Sequence, residues 1–364
     1  MSEINACHTK WMKRAIFLAS LGNNTTSPNP KVGAVILDKN GNLISEGFHY
    51  KAGMLHAEAM AFRNLKKNPE GGSMYVNLEP CCHQGKTPPC VDKVICSGIK
   101  KIYISIQDPD KRVSGKGIKL LREAGIQVHL GLCKKESQEL NKAFIHRNIT
   151  KKSFGVLKWA MSIDGRIGLK NGKSKWITNE ESRSLVHSYR AEFDAIVIGG
   201  NTLRKDNPLL TSRGLKNPEP LRVVFTKSLD LPLETNLWDC NKAKTLVIYD
   251  SSTANKSYLS RIPQCVEVKE VTSDNPELIS KILAKRGCNK VLWECGPRLA
   301  THAIKSKCIQ EIITFIAPKI LGGENNMNPI GDFEFKEMDE IIKLNYSQVN
   351  FIRDDIYVRS ALKF

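Results

Sequence analysis

The chain has 364 residues, 41% of them hydrophobic and 25% charged, which excludes a disordered or fibrous protein and suits two domains better than one core. Its 11 cysteines are odd in number and lack framework spacing, so a disulfide scaffold is excluded and a reducing compartment favoured. The formal net charge of +18 is spread over both halves in doublets such as Lys66-Lys67, Lys134-Lys135 and Lys151-Lys152, the pattern of a solvated surface that can also steer phosphorylated small molecules.

The first predicted element is a helix. Lys10, Lys13 and Arg14 precede the apolar run Ala15 to Leu21 and superficially resemble a signal peptide. Met12, Ala15, Ile16 and Ala19 share one helical face, however, and no small-x-small cleavage site follows. No apolar stretch approaches the roughly 20 residues needed to cross a bilayer, so a cytoplasmic protein is expected. Ser27-Pro28-Asn29-Pro30 is a rigid loop before a strand at Val32–Leu37. Asp38 to Asn42 is a hairpin turn and Leu43–Gly47 its return strand.

A helix is predicted from Ala57 to Lys67, a strand over Met74–Leu78 and a second helix from Val91. A strand at Lys101–Ile106, a helix at Gly117–Glu123, a strand at Ile126–Leu130 and a helix from Glu136 to Asn148 complete a first α/β/α unit, residues 1–150. The second unit, 151–364, has predicted strands at Phe154–Ala160, Ala195–Gly200, Arg222–Thr226, Thr245–Tyr249 and Lys290–Glu294, and a helix at Leu299–Lys305. Both units are expected to be three-layer α/β domains.

The chemistry of the first unit is carried by His56-Ala57-Glu58, Pro80-Cys81 and Cys90. One histidine and two cysteines hold a zinc ion while leaving a fourth position open, the arrangement of a catalytic site. Glu58 is two residues from His56, near enough to serve water without ligating the metal. This is the H-x-E…P-C pattern of zinc-dependent base deaminases, in which the glutamate shuttles protons while water attacks an amine-bearing ring carbon. The usual pattern closes C-x-x-C; here Cys82 to Pro89 intervene. A structural zinc knot, with Cys82 or His83 as a fourth ligand, is the alternative. In the second unit Gly199-Gly200-Asn201-Thr202 and Gly296-Pro297 are strand-to-helix junctions where free backbone N–H groups can bind phosphate, and neither is G-x-G-x-x-G.

Longer motifs run through both units: Ser27-Pro28-Asn29-Pro30-Lys31-Val32-Gly33, the dodecapeptide Glu79-Pro80-Cys81-Cys82-His83-Gln84-Gly85-Lys86-Thr87-Pro88-Pro89-Cys90, and Gln107-Asp108-Pro109. They continue with Lys158 to Gly165, Trp176-Ile177-Thr178, Asp206-Asn207-Pro208, Glu294-Cys295-Gly296-Pro297 and Ala317 to Gly323. In these the chain resembles the bifunctional riboflavin-biosynthesis deaminase/reductase family.

The resemblance implies a cytidine-deaminase-like domain with one zinc ion per chain, followed by a dihydrofolate-reductase-like domain using NADPH. It implies a small phosphorylated pyrimidine as substrate, no nucleic-acid or membrane partner, and a homo-oligomer. Residue by residue it implies His56, Cys81 and Cys90 as metal ligands and Glu58 as the proton shuttle. Asn29, His49, Lys86 and Asp108 would hold the pyrimidine and its ribose phosphate. In the second unit Lys158 would lie at the reducible sugar. Ala160, Trp176, Thr202, Asp206, Gly296, Pro297, Arg298, Leu299, Ala300, Thr301 and His302 would contact NADPH. Ser174, Arg190, Leu210, Arg213 and Glu294 would contact substrate. Two positions depart from the family: Asp110, where asparagine is usual, and Thr226-Lys227, where a serine is expected. A nucleic-acid-editing deaminase, or a monofunctional deaminase with a non-catalytic second half, are the rival readings.

Overall fold

The computed structural model describes residues 3–22, 25–82, 89–111, 113–323 and 327–363. The chain divides into two compact units, Met1–Thr150 and Lys151–Phe364. No helix among the described residues is long and apolar enough to cross a membrane.

The first unit runs α1 (Glu3–Ser20), β1 (Gly33–Leu37), β2 (Leu43–Phe48), α2 (Ala57–Arg63), β3 (Ser73–Leu78), α3 (Cys90–Cys96), β4 (Lys101–Ile106), α4 (Lys116–Glu123), β5 (Gln127–Leu130), α5 (Lys134–Leu140) and α6 (Lys142–Thr150). Its sheet has the order β2-β1-β3-β4-β5. Strand β1 is antiparallel to β2 and β3, while β3, β4 and β5 are parallel. Because side chains alternate along a strand, β1 divides its apolar residues between two layers. Ala34 and Ile36 pack with Ala57, Ala61, Val91, Val94, Ile118 and Leu121 of α2, α3 and α4. Val35 and Leu37 pack on the other face with Met12, Ala15 and Leu18 of α1. The amphipathic reading of α1 holds, with Met12, Ala15 and Ala19 fully buried and Phe17 exposed.

Two helices differ from expectation. The first, read as reaching Lys67, ends at Arg63, where the Asn64 N–H bonds back to Met60 and the Asn68–Gly72 stretch turns into β3. The last, read as one helix from Glu136 to Asn148, is broken at Asn141. That residue's Oδ1 accepts the Lys31 N–H at 2.8 Å and its Nδ2 donates to the Lys31 carbonyl at 2.9 Å. A side-chain amide that grips a neighbouring backbone competes with helix continuity. Here it secures the loop carrying Asn29.

The second unit contains β6 (Phe154–Ser162), α7 (Glu180–Ala191), β7 (Ala195–Gly199), α8 (Gly200–Asp206), β8 (Leu221–Thr226), β9 (Thr245–Asp250), β10 (Glu267–Val271), α9 (Pro276–Lys285), β11 (Lys290–Trp293), α10 (Pro297–Lys305), β12 (Glu311–Ala317), β13 (Lys343–Ile352) and β14 (Asp355–Lys363). The strand order is β10-β9-β8-β7-β11-β6-β12-β14-β13. Strands β10 to β12 of that order run parallel, and β14 and β13 are added antiparallel. Central strand β7 shows the continuous apolar run of a strand covered on both faces, with Ala195 to Ile198 fully buried. The sequence reading assigned no element to α7, β10, α9 or the three C-terminal strands. Strand β13 is exposed along almost its whole length, and its residues carry little burial pattern to read. The hairpin nevertheless has a positioning role. Asp355 Oδ2 accepts the Asn179 N–H at 2.8 Å and the Ser182 hydroxyl at 2.7 Å, anchoring the start of α7.

Helix α2 carries His56 at its N-cap and Glu58 in its first turn, and it lies directly on β2. Gly47 makes that approach feasible: a Cβ there would fall 2.5 Å from the Ala61 nitrogen and 2.6 Å from the Ala57 carbonyl. Ser45 adds a hydroxyl bond to the Ala61 carbonyl at 2.5 Å. Gly47→Ala is expected to destabilise the first unit by about 1–3 kcal/mol through overpacking, and to lower any activity that needs Glu58. Urea unfolding of the two proteins measures the first effect.

Candidate active sites

The first unit encloses a cavity of about 510 Å³ lined by Asn29, His49, His56, Glu58, Cys81 and Asp108, among others. Three elements deliver the metal donors. His56 precedes α2, Cys81 follows β3, and Cys90 opens α3. His56 Nδ1 lies 3.5 Å from Cys81 Sγ and 3.5 Å from Cys90 Sγ, and the Cys90 N–H donates to Cys81 Sγ at 3.4 Å. Around a tetrahedral zinc ion with ordinary Zn–N and Zn–S lengths, a nitrogen and a sulfur sit about 3.5 Å apart. The three donors therefore fit that ion. Cys82 is not in the cluster, and its partial burial is against the α2–α4 core layer. His83, the other alternative fourth ligand, and Lys86 lie outside the described residues.

Charge in this cluster is strongly interdependent. Cys81 is drawn down to about 4 by the bond from Cys90 and by the His56 ring, against the opposing effect of burial. Cys90 is pushed up by its bond to Cys81 and by burial. Burial, reinforced by the Cys81 charge, raises Glu58 to about 7. Such a carboxyl both takes and gives a proton near neutrality. His49 is held by two bonds: its Nδ1–H donates to the Leu55 carbonyl at 3.0 Å, leaving Nε2 to accept from Asn29 Nδ2 at 3.1 Å. Burial lowers its pKa, in keeping with this neutral tautomer. Burial also raises Asp108 to about 6. Asp110, the departing position, lines the same cavity.

The second unit holds a separate cavity of about 710 Å³. Its floor is an ionic triad. Arg190 on α7 clasps Glu294 through Nε at 2.7 Å and Nη2 at 3.0 Å, and Lys158 on β6 reaches the same carboxylate at 3.6 Å. Burial opposes the Glu294 charge, but Arg190 and Lys158 together outweigh it and hold the carboxyl at about 2. Burial lowers the Lys158 pKa and Arg190 adds to this, partly offset by Glu294. Ser174, Leu210 and Arg213 line this cavity, as do Ala160, Trp176, Thr202, Asp206, Gly296 and Pro297. Asn207, Leu210 and Arg213 have φ of 40°, 53° and 58°. Left-handed backbone at three non-glycine positions so close together is the kind of strain that concentrates at ligand sites. Asp164 accepts the N–H groups of Leu321 and Gly322, and Lys319 Nζ donates to the carbonyls of Trp176 and Ile177, which joins three of the sequence motifs beside this cavity.

Not every expected contact faces the cavity. Arg298, Leu299, Ala300, Thr301 and His302 are absent from its lining. Ala300 is fully buried in the core, and Thr301 donates its hydroxyl to the Pro297 carbonyl and accepts the Gly331 N–H. A helix turns successive side chains through its circumference, so a five-residue stretch cannot all face one ligand. The Gly296 junction does not need glycine for its backbone conformation. Its φ is −71°, open to any residue, and a Cβ there would meet no atom within 4 Å. Lys227, the second departure, pairs with Asp274. Sequence reasoning missed Arg147 and Asn148 at the first cavity, and Thr178, Arg183 and His187 at the second. The Arg183 guanidinium stacks 4.4 Å from the Trp176 ring centre. Thr178 belongs to the Trp176-Ile177-Thr178 motif and was legible there, whereas the other four sit in α6 and α7 with no local motif, so only the fold brings them to the cavities.

Two family models match the chain. Residues 5–106 match the cytidine and deoxycytidylate deaminase zinc-binding region, and residues 153–358 match the RibD C-terminal domain. The riboflavin biosynthesis protein RibD of Synechocystis is 42% identical, over 92% of this chain and 90% of that protein. RibD of Aquifex aeolicus is 37% identical over 96% of each. Among solved structures, Acinetobacter baumannii RibD matches with a TM-score of 0.89 at 32% identity, covering 99% of this chain and 100% of that one. The diaminohydroxyphosphoribosylaminopyrimidine deaminase/5-amino-6-(5-phosphoribosylamino)uracil reductase of Thermotoga maritima matches with a TM-score of 0.87 at 32% identity and covers 99% of both chains. With a deaminase-type set of metal donors in one unit and a reductase-type domain in the other, the chain belongs to the RibD family of bifunctional riboflavin-biosynthesis enzymes.

Proposed function

We propose that the first cavity deaminates a diaminopyrimidinone carrying a ribosylamino 5′-phosphate, and that the second then reduces the opened ribosyl group of the product to ribityl. The observation that carries the first half is a buried glutamate in one cavity with His56 and Cys81 of a His-Cys-Cys donor set. One zinc ion per chain on His56, Cys81 and Cys90 supplies the Lewis acidity that makes water a nucleophile near neutral pH. Glu58 removes a proton from that water and delivers one to the departing amine. A C–O bond forms, a C–N bond breaks, and ammonia leaves. Asn29 and the neutral His49 orient the ring, Asp108 holds its polar edge, and Lys86 meets the phosphate.

The second half rests on the Lys158–Glu294–Arg190 triad. Bound NADPH supplies the hydride. Glu294 fixes the Lys158 ammonium at the cavity floor, where it would give a proton to the heteroatom bonded to the sugar carbon that takes the hydride. Arg190 and Arg213 add positive charge for the substrate phosphate, and Trp176 with Arg183 forms an exposed aromatic–cation wall for the cofactor. A second half without catalytic function would not need to bury three charged groups at a cavity floor, since such burial is costly unless fully paired.

Incubation with the pyrimidinone substrate tests both halves. The parent protein is expected to release ammonia without NADPH and to form the ribityl product only with it. Glu58→Gln keeps the three donors and loses only the proton shuttle, so it is expected to retain zinc by metal analysis while deamination falls about 10²–10⁴-fold. Deamination at the parent rate would remove Glu58 from the chemistry.

The triad also sets an acid dependence. The Glu294 pKa of about 2 in the folded chain lies below its ordinary value of 4.5, so its ionised form adds stability that is present above 4.5 and lost as pH falls toward 2. The gap in unfolding midpoint between parent and Glu294→Gln is therefore expected to be widest near neutrality and to narrow over that window. A gap that is constant with pH would contradict it.

For the cofactor, a side chain at Gly296 meets no protein atom but enters the space before α10, so Gly296→Val should leave the fold and deamination intact. It is expected to weaken NADPH about tenfold or more by blocking close approach to the helix start. Fluorescence titration with NADPH measures this, and equal affinity would move the cofactor away from this junction.

A further inference from the structure

Glu79 stands two residues before the metal donor Cys81 and takes no part in the chemistry described above. Its side chain is only 3% exposed although it ends in a carboxylate. Both oxygens are engaged by backbone. Oε2 accepts the Asp108 N–H at 3.1 Å and the Gly115 N–H at 2.9 Å, and Oε1 accepts the Ile118 N–H at 3.2 Å. These donors span the loop between β4 and α4 and the first turn of α4 itself. That loop carries Asp108, Asp110 and Val113, three residues of the first cavity's wall.

We propose that Glu79 is the positioning residue of the deaminase pocket, its carboxylate clamping the Asp108 loop to the strand end that presents Cys81. This rests on the deaminase reading of the first cavity. The close fit of α4 supports it. A Cβ on Gly117 would fall 2.5 Å from the Pro80 carbonyl and 3.2 Å from Glu79 Oε1, so the start of α4 is pressed against this strand end. Gly115 adopts φ of +78°, which turns its N–H toward the carboxylate.

The chemistry requires an acceptor on both sides of the group. A carboxylate offers acceptor sites on both oxygens and no hydrogens, which matches three converging N–H groups. A carboxamide of the same shape must aim an NH2 either at the Ile118 N–H or at the paired Asp108 and Gly115 N–H groups. Donor then faces donor, and the loop must move. The metal donors are secured separately, because the Cys90 N–H holds Cys81 Sγ and the Val91 N–H holds the Cys81 carbonyl at 3.2 Å. Loss of the clamp therefore displaces the substrate wall and leaves the His-Cys-Cys cluster in place.

The test uses the zinc-loaded full chain and Glu79→Gln. The variant is expected to raise the deamination KM about tenfold or more, as the loss of charge-assisted bonds to a positioned loop would do. Its kcat, zinc content and NADPH-dependent reduction of supplied deaminated substrate are expected to stay near the parent values. An unchanged KM would overturn the proposal, as would loss of zinc or a fall in kcat alone, since those place Glu79 at the metal or in the chemistry. Hydrogen exchange on the parent gives a second reading that needs neither a folded variant nor deaminase activity. The amides of Asp108, Gly115 and Ile118 should exchange far more slowly than that of exposed Lys111. Exchange as fast as Lys111 overturns the clamp even if the variant does not fold. Slow exchange in a parent that fails to deaminate would retain the clamp and sink the deaminase reading instead.

Discussion

A ring nitrogen 3.5 Å from each of two cysteine sulfurs is a condition that three separate elements must meet together. His56 arrives at the start of α2, Cys81 beyond the end of β3 and Cys90 at the start of α3. The sheet makes that convergence rigid: β3 lies between β1 and β4, and α2 and α3 share one apolar layer against Ala34 and Ile36. Interiors packed to crystal-like density do not deform continuously, so a shift in that layer would be transmitted to the donors. The two thiols and the buried Glu58 are costly neighbours, because each negative charge among them raises the cost of the next.

The second unit solves a similar electrostatic problem with protein charges alone. Glu294 directly follows β11, Lys158 lies on the adjacent parallel strand β6, and Arg190 comes from α7. Each charge would be prohibitive to bury by itself. Together they form a network in which the bidentate Arg190–Glu294 bond fixes the carboxylate and the carboxylate fixes the lysine. Glu294 stands just beyond the carboxyl end of a parallel strand, the place where open α/β sheets put their ligand crevices. Helix α7 is itself oriented by Asp355 at the C-terminal hairpin, so a residue outside the cavity lining sets the position of a helix that lines it.

The buried carboxylates of the first cavity divide their tasks by what faces them. Glu58 faces sulfur and imidazole, and burial raises it to about 7. Glu79 faces backbone N–H groups on both oxygens. Residue type alone does not separate these roles, because both are glutamates near the same motifs.

The linear pattern determined the two α/β units, most of the strands and the His56, Glu58, Cys81 and Cys90 set. Alternation of apolar residues, Gly and Pro at turns, and the spacing of metal-binding side chains are local signals, legible without a fold. The long dodecapeptide and the motifs of the second half were likewise local. Tertiary structure alone decided the rest. It broke the predicted last helix at Asn141, because only in space does that amide meet Lys31. It turned Ala300 and Thr301 into the core, because one helix cannot present five successive side chains to a ligand. It brought Arg147, Arg183 and His187 to the cavities, and it gave Glu79 its three N–H partners, all at separations of 29 residues or more. Contacts of that kind depend on which strands pair and which helices cover them, and no periodicity in the chain records it.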